Sequence, residues 1–365
     1  MNLVRLLHEQ DEPAWQRLLL APLAPAAGLF GAAAATRRGL YRRGVLRSAK
    51  APIPVISVGN LAVGGAGKTP VTIHLVREFQ QRGLKVAVLS RGYGGTGRGA
   101  RVVSRGEGLL LDAKDAGDEP VLVARRCPGA QVLVGTNRAE LAAIAGTHLR
   151  ADVAILDDGF QHLALQRDLD IVVLDGASPF GNGKLLPRGP LREGPEALRR
   201  AHLGWIAKCD EGDPATVEAA ARIVERHVGS APVRSRYRAS RLLSADLRTE
   251  LSLSLLEGQP VVLLAGVARP HSFRRTLEHA GARVIEEALF PDHHAFTRAE
   301  VERVLASARA LGAERVCCTE KDAVRLPRDL HGGDRLVVVQ VETEIVAGGA
   351  LLAAALDRVV GGRRG

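Results

Sequence analysis

Aromatic side chains are scarce in this sequence of 365 residues, where Phe, Trp and Tyr together make up 3%. Hydrophobic residues still reach 46%, so the cores must be built mainly from Val, Leu, Ile and Ala. Charged residues make up 25%, a balance typical of an ordered globular chain and not of a disordered one. The length favours more than one domain over a single core.

Cysteine is also rare, and the four residues Cys127, Cys209, Cys317 and Cys318 form no CxxC pair. Cys317 and Cys318 lie inside an apolar run. We therefore expect buried thiols in a reducing compartment, and neither a disulfide framework nor a cysteine metal site.

Acidic residues are outnumbered by basic ones, 40 against 50, which gives a formal net charge of +10. A positive balance suits nucleic acid, anionic lipid or phosphorylated substrates. The sequence lacks zinc-finger spacing and a basic strand interleaved with aromatics. We therefore predict no nucleic-acid partner.

The N-terminal region has no pattern typical of a secretory signal, because acidic Glu9, Asp11 and Glu12 precede its apolar stretch. That stretch covers residues 18–35 and contains two prolines. It is followed by a cluster of basic residues without an acid, namely Arg37, Arg38, Arg42, Arg43, Arg47 and Lys50. The combination favours an interfacial anchor on an anionic membrane leaflet. The alternative is a helix that packs on the protein's own core.

Short apolar runs alternate with helical patterns from residue 53 onward. This predicts an α/β fold of two α/β/α lobes with mostly parallel sheet, because strands buried on both faces read as continuous hydrophobic runs. Residues 234–258 are polar and irregular. The predicted divisions are an N-terminal helical segment (1–50), a first domain (51–235), a hinge (236–258) and a smaller C-terminal α/β domain (259–365).

The strongest local signal is a glycine-rich run between a predicted strand and a predicted helix: Gly64, Gly65, Ala66, Gly67, Lys68 and Thr69. Glycines allow backbone N–H groups to surround phosphates. Lys68 would reach the β- and γ-phosphates of a nucleotide, and Thr69 would hold Mg²⁺. The run departs from the usual G-x4-G-K-[ST] pattern, because Ala62 stands at the first glycine position. The alternative is a glycine-rich turn that contains GKT by chance.

Acidic residues follow the predicted strand at 153–156, where Asp157 and Asp158 would organise Mg²⁺ beside a phosphate loop. Acids also end strands in ordinary turns.

Transfer of a phosphoryl group to a hydroxyl requires a residue that orients or deprotonates the acceptor. Two segments carry suitable groups: Asp118 and Glu119 at a predicted helix start, and Asp292, His293 and His294 between a strand and a helix. The acids could instead serve only the helix dipole, and the histidines could be surface residues.

The basic loop at 179–195 contains Lys184, Arg188, Arg192 and Glu193. It is long enough to favour a binding loop that holds an anionic acceptor, the alternative being a solvated surface excursion.

Several of these motifs together resemble the tetraacyldisaccharide 4′-kinase family, the lipid A 4′-kinases of Gram-negative bacteria. The matching runs are VGNLAVGGAGKTP, SRGYGG, GDEP, ILDDGFQH, FGNGKLLPRGPLREG, FPDHHAF and TEKDAVRL, in the family's order. They extend from about Trp15 to Leu326, and the family commonly has a residue other than glycine where Ala62 stands.

The resemblance implies an enzyme on the cytoplasmic face of the inner membrane that transfers the γ-phosphate of ATP, with Mg²⁺. The acceptor would be the 4′-hydroxyl of a tetraacylated glucosamine disaccharide 1-phosphate. It implies Asp118 as catalytic base in a dyad with His293, the histidine immediately after Asp292. Glu119, Asp157 and Asp158 would organise Mg²⁺, and Glu193 is a looser match.

A different class of function is a membrane-docked P-loop NTPase switch that transfers no phosphate to lipid. Guanine-reading switches carry [NT]-K-x-D after a strand. The nearest run considered, Thr319-Glu320-Lys321-Asp322, has its lysine one place late, which argues against GTP.

Overall fold

Helices and strands alternate along the chain in this computed structural model, which describes residues 12–327, 330 and 335–361. The helices are α1 (Ala14–Leu20), α2 (Ala24–Arg42), α3 (Lys68–Gln81), α4 (Ala113–Ala116), α5 (Asp118–Arg126), α6 (Arg138–Ala143), α7 (Pro214–Val228), α8 (Pro270–His279), α9 (Arg298–Ala310), α10 (Glu320–Ala323) and α11 (Gly349–Gly361). The strands are β1 (Val55–Gly59), β2 (Val86–Ser90), β3 (Arg101–Arg105), β4 (Gln131–Val134), β5 (Val153–Asp157), β6 (Leu169–Asp175), β7 (Leu203–Ala207), β8 (Val233–Ser244), β9 (Glu250–Leu251), β10 (Pro260–Ala265), β11 (Arg283–Leu289), β12 (Arg315–Thr319) and β13 (Leu336–Ala347). The α/β class is confirmed.

The strands join in one 13-stranded sheet in the order β11-β10-β12-β13-β8-β7-β6-β1-β5-β2-β4-β3, with β9 beside β8. We call β1 to β7 with their helices the P-loop half, and β10 to β13 with theirs the C-terminal half. Neighbouring strands within each half are parallel, apart from β3 against β4. The two halves meet through β8, which pairs in parallel with β7 and antiparallel with β13.

The central strands β1, β2, β5, β6 and β7 are buried along their whole length. Apolar side chains from both faces of the sheet pack against helices, as continuous Val, Ile and Leu runs predict. Because these strands are parallel, their carboxyl ends lie at one edge of the sheet. The glycine-rich run follows β1 there, and the acidic pair lies at the end of β5, with Asp157 as the last residue of the strand.

The polar segment predicted as a hinge at 236–258 is not irregular at its start. Residues 233–244 form the long strand β8, whose arginines alternate with smaller or aromatic residues. Arg236 and Arg238 both pair with Glu344 on β13, and Arg234 pairs with Glu218. This alternation is typical of a strand with one charged face. The many polar residues in this segment had instead suggested a linker. The division into domains stays a prediction.

The N-terminal helices expose most of their apolar side chains. Within the described residues, 14–42 form one helical stretch long and apolar enough to cross a membrane, judged by length and composition alone. Leu18 is 76% exposed and Leu29 74%. Part of the basic flank contacts the protein instead of solvent: Arg37 donates to the Gln161 carbonyl and Arg38 pairs with Glu193 at 2.9 Å. Arg37 and Arg38 are therefore not free to bind lipid in this conformation.

Candidate active site

The glycine-rich run forms a loop between β1 and α3. Gly64 and Gly67 have φ of +107° and +88°, a region that side chains with a Cβ rarely enter. Helix α3 begins at Lys68 and runs for 14 residues, so its N-terminal N–H groups and helix dipole face the loop. The loop has the chemistry of an anion site.

The acid at the end of β5 is buried and incompletely bonded. Within the described part of the chain, no donor reaches Oδ1 of Asp157, while Ser90 Oγ lies 3.5 Å from Oδ2. Burial raises the pKa of Asp157 to about 7, with further contributions from the charges of Glu119 and Asp158. A buried carboxylate oxygen without a donor fits a site for a cation.

The next residue, Asp158, has φ of +51° and meets two cations. Its carboxylate lies 2.9 Å from Nη1 of Arg192 and 3.6 Å from Nζ of Lys68. Burial alone would raise the pKa of Asp158, but Lys68 and Arg192 outweigh it and the pKa is lowered. Asp158 therefore stays ionised and links the phosphate loop to the basic loop at 179–195.

Asp118 and His293 come together from opposite halves of the molecule. Asp118 is the first residue of α5, and His293 follows β11. Oδ2 of Asp118 lies 2.8 Å from Nδ1 of His293, a hydrogen-bond distance. His293 has φ of +62°, which is uncommon outside glycine and marks a position held by its surroundings.

Arg325 is a site residue that sequence reasoning missed. Its Nε lies 3.3 Å from Oδ2 of Asp118, and both its terminal nitrogens lie 3.1 Å from the Gly266 carbonyl. It also pairs with Asp322 at 3.1 Å. Arg325 thus holds the Asp118 carboxylate from the C-terminal half. Its place in TEKDAVRL, near the end of that motif, was the available signal.

The adjacent His294 does not reach Asp118. Its ring stacks on Phe290 at 4.8 Å, and its Nε2 lies 3.0 Å from the Glu300 carboxylate. His294 therefore belongs to the packing of the segment that presents His293.

A cavity of about 790 Å³ lies where these groups converge. Its lining includes Lys68, Glu119, Asp157, Asp158, Arg192 and His293. Within residues 12–327, 330 and 335–361, no group of three or more His, Cys, Asp or Glu side chains is close enough to hold a metal ion alone. The predicted set of Thr69, Glu119, Asp157 and Asp158 is thus no closed cage. Magnesium bound with a nucleotide usually takes one or two carboxylates, with phosphates and water completing its shell.

Several charged side chains of the loop at 179–195 pair with other parts of the protein. Arg188 is buried and pairs with Glu12 at 2.6 Å, so it is not available to hold an acceptor. Glu193 is 4% exposed and pairs with Arg38 and Arg200. Lys184 is exposed. Arg192 contacts Asp158 and lines the cavity of about 790 Å³, which we call the cleft.

A second cavity, of about 230 Å³, is also lined by the phosphate loop. Apolar side chains line it from both halves, namely Ile73, Leu122, Phe273, Val339 and Val341. The hydroxyl of Tyr237 is buried there without a described partner, and a Cβ on Gly67 would lie 2.3 Å from it. Only glycine fits at position 67.

Lys208 was also missed from sequence. It follows β7, is 2% exposed, and directs Nζ at the carbonyl of Gly65 at 3.3 Å. Its signal was a lone lysine at the end of an apolar strand, in the run Lys208-Cys209-Asp210.

Comparison with known proteins identifies the family. A model of the tetraacyldisaccharide-1-P 4′-kinase family matches residues 19–360. The chain belongs to this family. A tetraacyldisaccharide 4′-kinase from Anaeromyxobacter sp. (strain Fw109-5) is 52% identical over 94% of this chain and 92% of its own length. A tetraacyldisaccharide 4′-kinase from Syntrophus aciditrophicus (strain SB) is 40% identical over 88% of each chain.

A solved structure of a family member has the same fold. It is the "apo" form of LpxK from Aquifex aeolicus in complex with ATP, with a TM-score of 0.75 and 30% identity. The match covers 94% of this chain and 99% of that one. The similarity to the tetraacyldisaccharide 4′-kinase family thus covers nearly the whole chain, including the residues of both halves that line the two cavities.

Proposed function

We propose that this chain transfers the γ-phosphate of ATP to the 4′-hydroxyl of a tetraacylated glucosamine disaccharide 1-phosphate, a step of lipid A biosynthesis. The observation that carries the assignment of the site is the contact of Asp118 with His293 at 2.8 Å. This contact joins a carboxylate and an imidazole from opposite halves, and His293 also lines the cavity that Lys68 lines, which supports the proposal.

The nucleotide's phosphates would lie against the backbone of Gly64, Gly65, Ala66 and Gly67, with Lys68 as their cation. The apolar cavity lined by Gly67, Val339 and Val341 would hold the base. Its walls come from both halves, so nucleotide binding would draw the halves together.

The donor set fits Mg²⁺, which prefers oxygen ligands and would neutralise charge between the β- and γ-phosphates. Asp157 offers an oxygen without a described donor. Thr69, Asp158 and Glu119 are proposed to hold the ion or its waters. Lys321 lies 3.4 Å from Glu119 and orients that carboxylate.

Asp118 would accept the proton of the sugar hydroxyl as the hydroxyl oxygen bonds to the γ-phosphorus. The bond between that phosphorus and the β,γ-bridging oxygen breaks, and ADP leaves with the electron pair. His293 and Arg325 hold the Asp118 carboxylate from the other side, so its orientation is set before the acceptor arrives.

The acceptor is a lipid, and we propose that the enzyme works on the cytoplasmic face of the inner membrane. The exposed apolar side chains of α1 and α2 support this, as do Arg42 at the end of α2 and Arg43 and Arg47 after it.

The test is incubation with γ-labelled ATP, Mg²⁺ and detergent-dispersed disaccharide 1-phosphate. Wild-type protein should label the lipid, and Asp118→Asn should lower turnover by about 100-fold or more while ATP affinity is kept. Asp115→Asn, three residues earlier and half-exposed, is the matched control and should keep turnover.

Lipid labelling by Asp118→Asn at the wild-type rate would remove Asp118 as the base. Hydrolysis of ATP by wild-type protein without label on the lipid would favour a membrane-docked NTPase switch instead.

A further inference from the structure

A cluster of charges contacts the phosphate loop through the carbonyl of Gly65. The proposed transfer step uses none of its members, although Lys208 and Arg269 also line the cavity proposed for the base. Asp175 ends β6 and Lys208 follows β7, and their side chains are 4% and 3% exposed. Nζ of Lys208 contacts Oδ2 of Asp175 and also lies 3.3 Å from the carbonyl oxygen of Gly65. Lys208 has φ of +54°, which costs free energy for a residue other than glycine.

The C-terminal half reaches the same cluster. Nη1 of Arg269, the residue before α8, lies 2.8 Å from Oδ1 of Asp175. Two further residues of α8 contact the chain just after Lys208: Ser272 donates to the Glu211 carboxylate, and Arg275 donates to the Glu211 carbonyl at 2.9 Å. One carboxylate thus holds a cation from each half of the molecule.

The segment 266–269 continues from Arg269 to the proposed catalytic dyad. The carbonyl of Gly266 accepts the backbone N–H of His293 at 3.2 Å and both terminal nitrogens of Arg325 at 3.1 Å. Ala268 lies beside the phosphate loop: a Cβ added at Gly65 would be 3.9 Å from the Cβ of Ala268. A short stretch therefore joins Arg269, at one end, to both partners of Asp118 at the other.

The contact between Lys208 and Gly65 also orients a loop amide. The C=O of Gly65 and the N–H of Ala66 belong to one planar peptide unit and point in opposite directions. With the carbonyl directed at Lys208, the Ala66 N–H faces away from the cluster and donates to Gly64 at 3.0 Å. A phosphate oxygen bound in the loop would replace that internal contact.

We propose that Asp175 is a positioning residue that fixes two things at once. Through Lys208 it sets the peptide orientation of the phosphate loop, and through Arg269 it sets the position of His293 and Arg325 relative to that loop. This role rests on the proposed function of the cleft. It explains why three charges are kept where a well-packed apolar group would serve stability equally well.

The experiment measures nucleotide affinity and steady-state kinetics for Arg269→Gln, Arg269→Lys and Lys208→Met. Arg274→Gln is the matched control, because Arg274 lies on α8 and pairs with Glu278 and Glu287. Melting temperature is recorded for each variant. Arg269 is 25% exposed, so its substitution leaves a folded protein to measure even where Lys208→Met does not.

We expect Arg269→Gln to lower kcat at least about tenfold with little change in melting temperature, and Arg269→Lys to recover most of that loss. Lys208→Met should weaken ADP and ATP binding about tenfold, seen by calorimetry without the lipid. Arg274→Gln should match wild type in both.

If folded Arg269→Gln and Lys208→Met match the Arg274→Gln control in kcat and nucleotide affinity, the positioning role is wrong. Failure of wild-type protein to label the lipid would instead remove the proposed function. The calorimetric arm still decides the role of Lys208 in that case, because it needs no phosphate transfer.

Discussion

His293 and His294 are adjacent in the chain, but their side chains have different surroundings. The His293 ring meets Asp118 and is 37% exposed, whereas the His294 ring packs on Phe290 and pairs with Glu300. At the level of single residues, His293 therefore positions the proposed base, whereas His294 stabilises the loop that presents His293.

Substitution of the two histidines should therefore have separable effects. We expect His293→Asn to lower kcat by about 10- to 100-fold, because the Asp118 carboxylate loses its imidazole partner. His294→Asn should lower the melting temperature and leave kcat of the folded protein near that of wild type. Lipid labelling and thermal unfolding measure the pair, and equal losses of kcat in both would contradict the assignment.

The four thiols differ in accessibility. Cys127, Cys317 and Cys318 are buried, and Cys209 is partly exposed. Burial raises the pKa of Cys127 to about 11 and that of Cys317 to about 12, so both stay protonated and unreactive near neutral pH.

We expect a disulfide reagent at pH 7.5 to modify at most one thiol per folded chain, at Cys209, and all four after denaturation. Folding shields Cys127 and Cys317 from the reagent, and by raising their pKa values it also lowers the fraction of reactive thiolate at pH 7.5; denaturation removes both effects. Rapid modification of several thiols in the native protein, read by mass spectrometry, would contradict the buried placement.

At the level of elements, the N-terminal helices α1 and α2 present apolar side chains that the protein itself does not cover. Leu18 and Leu29 are the most exposed of these, and the helix end is tied to the cleft through Arg37 and Arg38. A membrane that held this helical stretch would therefore lie close to the loop after β5.

Leu18→Glu and Leu29→Glu should each weaken binding to vesicles of anionic and zwitterionic phospholipid by about tenfold. Each replaces a leucine that would insert into the lipid with a charged side chain. Leu311→Glu is the control, since Leu311 is 53% exposed in the C-terminal half. Sedimentation with vesicles measures the effect. Unchanged binding by both helix variants would favour a helix that serves only the protein's own packing.

At the level of the whole molecule, a buried charge network joins the halves beside the second cavity, which Arg126, Glu320 and Glu342 help to line. Arg126 on α5 pairs with Glu320 on α10 and with Glu342 on β13, and it is 5% exposed. Gln340 donates to Glu320 at 2.8 Å, which satisfies that carboxylate further.

Arg126→Met should lower the free energy of unfolding by about 3–5 kcal/mol, because Glu320 is left buried without its cation. Arg234→Met, which breaks an exposed pair with Glu218, should lower the free energy of unfolding far less. Denaturant unfolding measures both. Similar small losses for the two variants would show that the network contributes little to joining the halves.

The α/β class and the glycine-rich loop before Lys68 could be predicted from the amino-acid sequence alone. These features are local: continuous apolar runs predict buried parallel strands, and glycines before Lys68 permit the loop's backbone. Local patterns also explain why the strand β8 was missed. Its charged face gives the sequence the composition of a polar linker.

Which of the candidate groups contact one another depends on the folded chain and could not be predicted from local patterns. Asp118 and His293 lie 175 residues apart in the chain, and no local pattern encodes a contact over that separation. Arg188 is directed to Glu12 and Arg192 to Asp158, although both belong to one basic loop. The pairing of β8 with β13 sets how the halves sit together, and long-range strand register of this kind depends on the whole folded chain.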